Sequence, residues 1–117
     1  MLLTGFMGAG KTSVGRSLAK RLGWAFTDLD ACIEEREGRS LAAIFSNSGE
    51  AGFRRAESHA LRSILMRCKR PPRRVVALGG GTLTRPGNVR QVARSQAPLV
   101  FLQAPLATLL RPPLTEA

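Results

Sequence analysis

The chain contains no tyrosine, one tryptophan and one histidine, and aromatic residues make up only 5% of it. That scarcity removes the interleaved rings and basic side chains on which single-strand nucleic-acid binders stack bases. Cysteine is nearly as scarce. Cys32 and Cys68 are too few and too unpatterned for a disulfide framework or a metal site, so both read as small apolar filler on helices. No apolar run reaches the length needed to span a bilayer. Leu2-Leu3-Thr4-Gly5 follows Met1 directly, with no basic stretch before it and no small-residue cleavage site after it, which argues against a signal peptide. Together these absences describe a cytoplasmic protein with no membrane partner.

What is present suits one compact, soluble domain over residues 1–117. The chain is 44% apolar, enough for a core with little surplus. The net charge of +10 raises the question of nucleic acid. However, the basic residues are mostly arginines scattered along the whole length, and Arg70, Arg73 and Arg74 make the only dense cluster. Isolated arginines beside glycine loops suit small anionic molecules better, so nucleic acid is not the expected partner.

Strands and helices alternate along the sequence. Leu2-Leu3-Thr4 ends a short apolar strand, and Lys11 to Leu22 carries Val14, Leu18 and Leu22 at helical spacing before Gly23 stops it. Ala25-Phe26-Thr27 is a second strand, ending at Asp28. Leu29 to Glu37 is helical up to Gly38. Ser40 caps a short helix with Leu41, Ile44 and Phe45 on one face. Gly49-Glu50 opens a long helix to Cys68, with Phe53, Leu61, Ile64 and Leu65 inward. After Pro71-Pro72, Arg74 to Leu78 is a nearly continuous apolar run, as in a central parallel strand. Pro86 to Ser95 is a helix, Leu99 to Leu102 a strand, and Pro105 to Leu110 a last helical turn. This alternation predicts a three-layer α/β fold with a parallel sheet.

Three features carry chemistry. Gly5-Phe6-Met7-Gly8-Ala9-Gly10-Lys11-Thr12 follows a strand and opens a helix, the context in which glycines bring backbone N–H groups against phosphates. The helix N-terminus adds a favourable dipole, Lys11 reaches the outer phosphates and the Thr12 hydroxyl serves Mg²⁺. Asp28 and Asp30 lie at the carboxyl end of the second strand, the edge where ligands of open α/β sheets gather. Two residues apart on an extended segment, they would share a face. Taken alone, such an aspartate more often caps the next helix. Gly79-Gly80-Gly81 follows the apolar strand, where close approach of backbone to a ligand would offset the entropy that three glycines cost. Arg54 is by itself an ordinary solvated arginine, and His59 is given no role.

The run G-F-M-G-A-G-K-T-S-V-G-R, then L-G-W-A-F-T-D-L-D, then G-E-A-G-F-R-R-A-E and then L-G-G-G-T resembles shikimate kinase in order and spacing over residues 1 to 104. The resemblance implies a P-loop kinase fold with a short parallel sheet, four strands recognisable and the fifth missing. It implies transfer of the ATP γ-phosphoryl group to the 3-hydroxyl of shikimate. Gly8, Ala9, Gly10, Lys11, Thr12 and Ser13 would hold the ATP phosphates, with Lys11 stabilising the transferring group. Thr12 would bind Mg²⁺ directly, and Asp28 would support it through water. Asp30 would hydrogen-bond shikimate and act as base on its hydroxyl. Arg54 would bind the shikimate carboxylate, Glu57 would orient Arg54, and the Gly80 and Gly81 backbones would touch shikimate. A monomer is expected.

The resemblance weakens at the end of the chain. Arg111-Pro112-Pro113-Leu114 resembles a variant of the family's R-P-L-L segment. On that reading Arg111 is a substrate clamp, and both the lid between Leu110 and Arg111 and everything after Ala117 are missing. Arg111 could instead be the remnant of the arginine that precedes the lid. Activity would then be impaired, since a missing transition-state cation can cost on the order of 10³-fold in rate. Two alternatives follow: a homologue that binds ATP–Mg²⁺ or shikimate without turnover, and another small-molecule P-loop kinase, such as one acting on gluconate. Gly79–Gly81 and Phe53-Arg54 argue against the second.

Overall fold

The computed structural model describes residues 1–5 and 11–102, without the side chain of Lys11. Within them the order is β1 (Leu2–Gly5), α1 (Lys11–Leu22), β2 (Ala25–Asp28), α2 (Leu29–Glu37), α3 (Leu41–Arg67), β3 (Arg74–Ala77), a single 3-10 turn (Thr82–Thr84), α4 (Pro86–Ser95) and β4 (Leu99–Leu102). The expected last helical turn, Pro105 to Leu110, lies outside the described residues.

The strands form one parallel sheet in the order β2-β3-β1-β4. β3 is hydrogen-bonded on both sides, and Val75, Val76 and Ala77 are buried. This is why its sequence is an unbroken apolar run rather than an alternation. Strand alternation divides the core. Leu2 and Val76 point to one face, where Leu29 and Ile33 of α2, Phe53, Leu61 and Ile64 of α3 and Val92 of α4 pack. Leu3 and Val75 point to the other, with Ala19 of α1 and Phe26. The three layers are thus α1, the sheet, and α2–α4, in agreement with the expected fold class.

Helix limits follow the local signals. Gly38 at φ 70° ends α2, a left-handed conformation that glycine adopts without penalty. The Ser40 hydroxyl accepts from the Ala43 N–H and starts α3. Gly49, at φ 69° and ψ −174°, interrupts α3 and divides it into the two helices read from the sequence. The long segment ends at Arg67 with Cys68 as its cap, and β3 stops at Ala77 rather than Leu78.

Two apolar residues read at helical spacing are not core. Leu22 is 42% exposed, because Gly15 and Ala19 are the described residues that α1 buries. A Cβ at Gly15 would meet Phe26 Cε1 at 2.5 Å and Leu3 Cδ1 at 3.2 Å. The close approach of α1 to the sheet is therefore set by a missing side chain, which an apolar-periodicity reading cannot see. Phe45 is exposed along one side, yet stacks on Phe53 with centroids 4.4 Å apart. No described helix is long and apolar enough to cross a membrane.

Candidate active site

Parallel connectivity brings the carboxyl ends of β1, β2 and β3 to one edge, and the loops leaving them carry the predicted residues. β1 ends at Gly5, where a Cβ would run into the Leu102 carbonyl of β4. Gly8, Ala9, Gly10, the Lys11 side chain and Arg111 lie outside the described residues. α1 begins at Lys11, and its first turn contains no acidic residue to occupy the positive end of its dipole. Ser13 is exposed in that turn.

Thr12 and Asp28 meet across this edge. The Thr12 hydroxyl donates to Asp28 Oδ2 at 3.1 Å. The other oxygen, Oδ1, accepts from the Asp30 backbone N–H at 2.9 Å and caps α2. Asp28 therefore makes the helix cap that the sequence offered as one alternative, and its second oxygen faces Thr12. The expectation that Asp28 and Asp30 share a face of an extended segment is corrected: Asp28 ends β2 in extended geometry, whereas Asp30 already lies in the first turn of α2. The tight turn brings them together, not strand periodicity.

The glycine run faces the second half of the site. A Cβ on Gly79 would lie 3.1 Å from Asp30 Oδ1, 3.1 Å from Thr82 Oγ1 and 3.5 Å from Glu57 Oε2. A Cβ on Gly81 would lie 2.7 Å from Arg54 Nη2 and 2.9 Å from Nη1. Gly80 is exposed, with open space where its Cβ would be. Glycines 79 and 81 are thus required by neighbours that were assigned to the site on other grounds.

Arg54 is held on several sides. Its Nη1 donates to Glu57 Oε1 at 2.9 Å, its guanidinium lies 5.3 Å from the Phe53 ring centroid, and Glu50 approaches Nη2 at 4.0 Å. The Arg54–Glu57 pair spans one helical turn, and Glu57 is buried. A buried carboxylate needs its remaining oxygen satisfied. Thr82 does this, donating from Oγ1 to Glu57 Oε2 at 2.9 Å. Asn88 in turn donates from Nδ2 to the Thr82 carbonyl at 2.9 Å and accepts from the Ser58 hydroxyl at 2.7 Å. Thr82 and Asn88 are both buried.

Thr82 and Asn88 were not singled out from the sequence. The only signal for Thr82 was its place directly after the three glycines. Asn88 sits two residues into a Pro-initiated helix and resembles any polar residue of a first turn. His59 lies exposed on α3.

The oxygen set at Thr12 and Asp28 fits a hard divalent cation, which commonly takes one or two protein oxygens and completes its shell with phosphates and water. Among the described residues no group of three or more His, Cys, Asp or Glu forms a site of the softer, all-protein kind. Burial pushes the Cys32 and Cys68 thiols above their ordinary range, for Cys32 against the opposing pull of Arg67. Both pack against the larger core cluster, as filler residues do.

The model of the family described as "Shikimate kinase" matches residues 7–112. A shikimate kinase of Chlorobium chlorochromatii is 44% identical over 111 residues, which is 95% of this chain and 56% of that protein. The structure of a shikimate kinase from Acinetobacter baumannii, solved in complex with shikimate, superposes with a TM-score of 0.81 at 38% identity, covering 93% of this chain and 58% of that one. A gluconokinase from Sinorhizobium meliloti aligns with a TM-score of 0.51 at 21% identity, a likeness of fold alone. The chain spans about half the length of the curated relatives it matches. A family match over nearly the whole chain, together with an Arg54–Glu57–Gly81 arrangement assembled by the fold, shows that the chain belongs to the shikimate kinase family.

Proposed function

We propose that the chain carries the phosphate-binding and acceptor-binding half of a kinase that transfers the γ-phosphoryl group of ATP to the 3-hydroxyl of shikimate. The observation that carries this reading is Arg54. Its planar fork is fixed by a buried glutamate and occupies the space that a side chain on Gly81 would fill, two residues along the chain from Gly79, whose missing side chain makes room for the carboxylate of Asp30. An arginine held this way is shaped for the carboxylate of a small acceptor. The Asp30 carboxylate, the nearest acidic group to the Gly79 backbone, suits the acceptor's hydroxyls.

In this reading the acceptor carboxylate sits on Arg54, and the Gly80 and Gly81 backbones line its ring. Asp30 takes the proton from the attacking hydroxyl. The hydroxyl oxygen forms a bond to the γ-phosphorus while the bond from that phosphorus to the β-phosphate bridging oxygen breaks, and ADP leaves. Gly8, Ala9, Gly10, Lys11, Thr12 and Ser13 form the phosphate cradle, and Arg111 adds a second contact to the acceptor. Thr12 and Asp28 would hold Mg²⁺, directly and through water respectively. When bound, Mg²⁺ supplies neutralisation of the triphosphate charge. The protein's own contribution is mainly positioning and charge stabilisation. A cytoplasmic monomer is the setting this reading implies.

A coupled assay with ATP, Mg²⁺ and shikimate tests the proposal directly, with calorimetry of each ligand alongside. Turnover is expected. Nucleotide or shikimate binding without turnover would reduce the chain to a binding homologue. Failure of the folded protein to bind either ligand would reject the reading altogether.

A further inference from the structure

The arginines that are dispersed in the sequence are not dispersed in space. Three clefts of about 560, 650 and 200 Å³ lie side by side along the outer face of α3, and Arg62 lines all three. Arg36, Arg67 and Arg70 line the cleft towards α2, and Arg90 and Arg94 line the clefts towards α4. Among the described residues no carboxylate lines any of them. Among the described residues the salt bridges involve only Arg39 and Arg54, so none of these arginines is neutralised by a described carboxylate. The residues at the ligand edge of the sheet, Asp28, Asp30, Arg54 and Gly79–Gly81, line none of the three clefts.

A continuous, concave, one-signed surface focuses its field and concentrates oppositely charged chains. Guanidinium groups favour phosphate, which they can bind through two parallel hydrogen bonds. Among the described residues the clefts contain no Phe, Trp or Tyr and a single His, His59, so they offer no succession of rings on which consecutive bases could stack. We infer that this belt on α3 binds a linear chain of phosphate groups through charge alone. Its ligand class is a polyphosphate backbone, whether inorganic or from a nucleic acid, read without regard to base.

The probe is fluorescently labelled inorganic polyphosphate, with saturating ATP–Mg²⁺ present to occupy the P-loop. If about four phosphates are engaged, affinity falls roughly 50-fold between about 50 and about 200 mM salt. The double substitution Arg62→Glu/Arg94→Glu weakens binding by about tenfold or more, as does Arg36→Glu/Arg70→Glu at the other end. All four positions are exposed, and circular dichroism confirms that the variants fold. Lys20→Glu/Arg21→Glu changes the net charge equally on exposed positions of α1 and leaves binding unchanged. An equal loss in that control would mean that net charge alone is read, and would overturn the inference. So would binding abolished by ATP, or binding insensitive to salt. An oligothymidylate of matched charge is expected to bind equally or more weakly; oligothymidylate binding alone would overturn the inference by showing recognition of sugar or base. Polyaspartate binding as tightly as polyphosphate would overturn it in favour of an acidic protein.

Discussion

Thr82 and Glu57 are joined by a 2.9 Å hydrogen bond in which the buried threonine hydroxyl satisfies the oxygen of a buried carboxylate that Arg54 does not use. The carboxylate is thereby fixed in plane, with its free edge towards Arg54. Thr82→Val keeps the shape and removes the donor, leaving a buried charged oxygen unpartnered at a cost of about 1–3 kcal/mol. Thr82→Ser keeps the donor and loses only a methyl group. Denaturant unfolding should rank wild type, Ser and Val in falling stability, and shikimate affinity should follow the hydroxyl, surviving in Ser and dropping in Val. Equal behaviour of Ser and Val would remove Thr82 from the support of Arg54.

Asp28 divides its two oxygens between the Asp30 N–H, which it caps, and the Thr12 hydroxyl. Asp28→Asn retains an oxygen for the Asp30 N–H, so the cap survives and stability should change by less than about 1 kcal/mol. The charge facing Thr12 is lost. Nucleotide binding in the presence of Mg²⁺ should weaken much more than binding in its absence. Asp28→Ala should add the loss of the cap, about 1 kcal/mol. Equal metal dependence in Asn and wild type would leave Asp28 as a cap only.

Gly81 has no positive φ, so a side chain is resisted there by its neighbours and not by the backbone. Gly81→Ala places a Cβ 2.7 Å from Arg54 Nη2, and Arg54 cannot simply swing away without abandoning Glu57. Shikimate affinity should fall by at least about tenfold, since one mispositioned charge-assisted contact is worth about 1.5–3 kcal/mol. Gly80→Ala meets nothing within 4 Å and should leave the unfolding midpoint in place. Calorimetry and thermal denaturation of the two variants separate these effects.

Burial raises the pKa of Cys32 and of Cys68, so the folded protein holds both as thiols where free cysteine has begun to ionise. The folded state therefore retains these protons to higher pH than the unfolded state. The resulting stability is complete below the ordinary thiol pKa and is lost as pH rises through the raised folded value. Alkylation by iodoacetamide should be slow near pH 8 in native protein, and quick at the same pH once the chain is unfolded. Rapid native labelling of either cysteine would contradict its role as filler.

Much of the fold was readable locally. The limits of α1, α2, α4 and β4 coincide with the Gly, Ser and Pro signals that bound them, because caps and breakers act within a few residues. The break at Gly49 was equally local. The inward face of α1 was not legible, since helix and sheet meet there through Gly15, and a missing side chain leaves no hydrophobic trace. Asp28, Asp30, Arg54 and Glu57 were legible as motif residues. Thr82 and Asn88 were not, because their importance lies in whom they satisfy, and those partners are 25 and 6 residues away.

By itself the sequence determined the α/β class, the glycine-rich run between the first strand and the first helix, and the family resemblance, since each is encoded in short runs with fixed spacing. Tertiary structure decided the rest. Parallel pairing of β1, β2 and β3 brought Thr12 to Asp28 and Gly81 to Arg54. The turn after β2 set Asp28 between the Asp30 N–H and the Thr12 hydroxyl. The packing of α3 between α2 and α4 gathered arginines that are far apart along the chain into one surface. The physical reason is common to all three: hydrogen bonds and Coulomb fields act over a few ångströms of space, and only the folded chain sets which residues are that close.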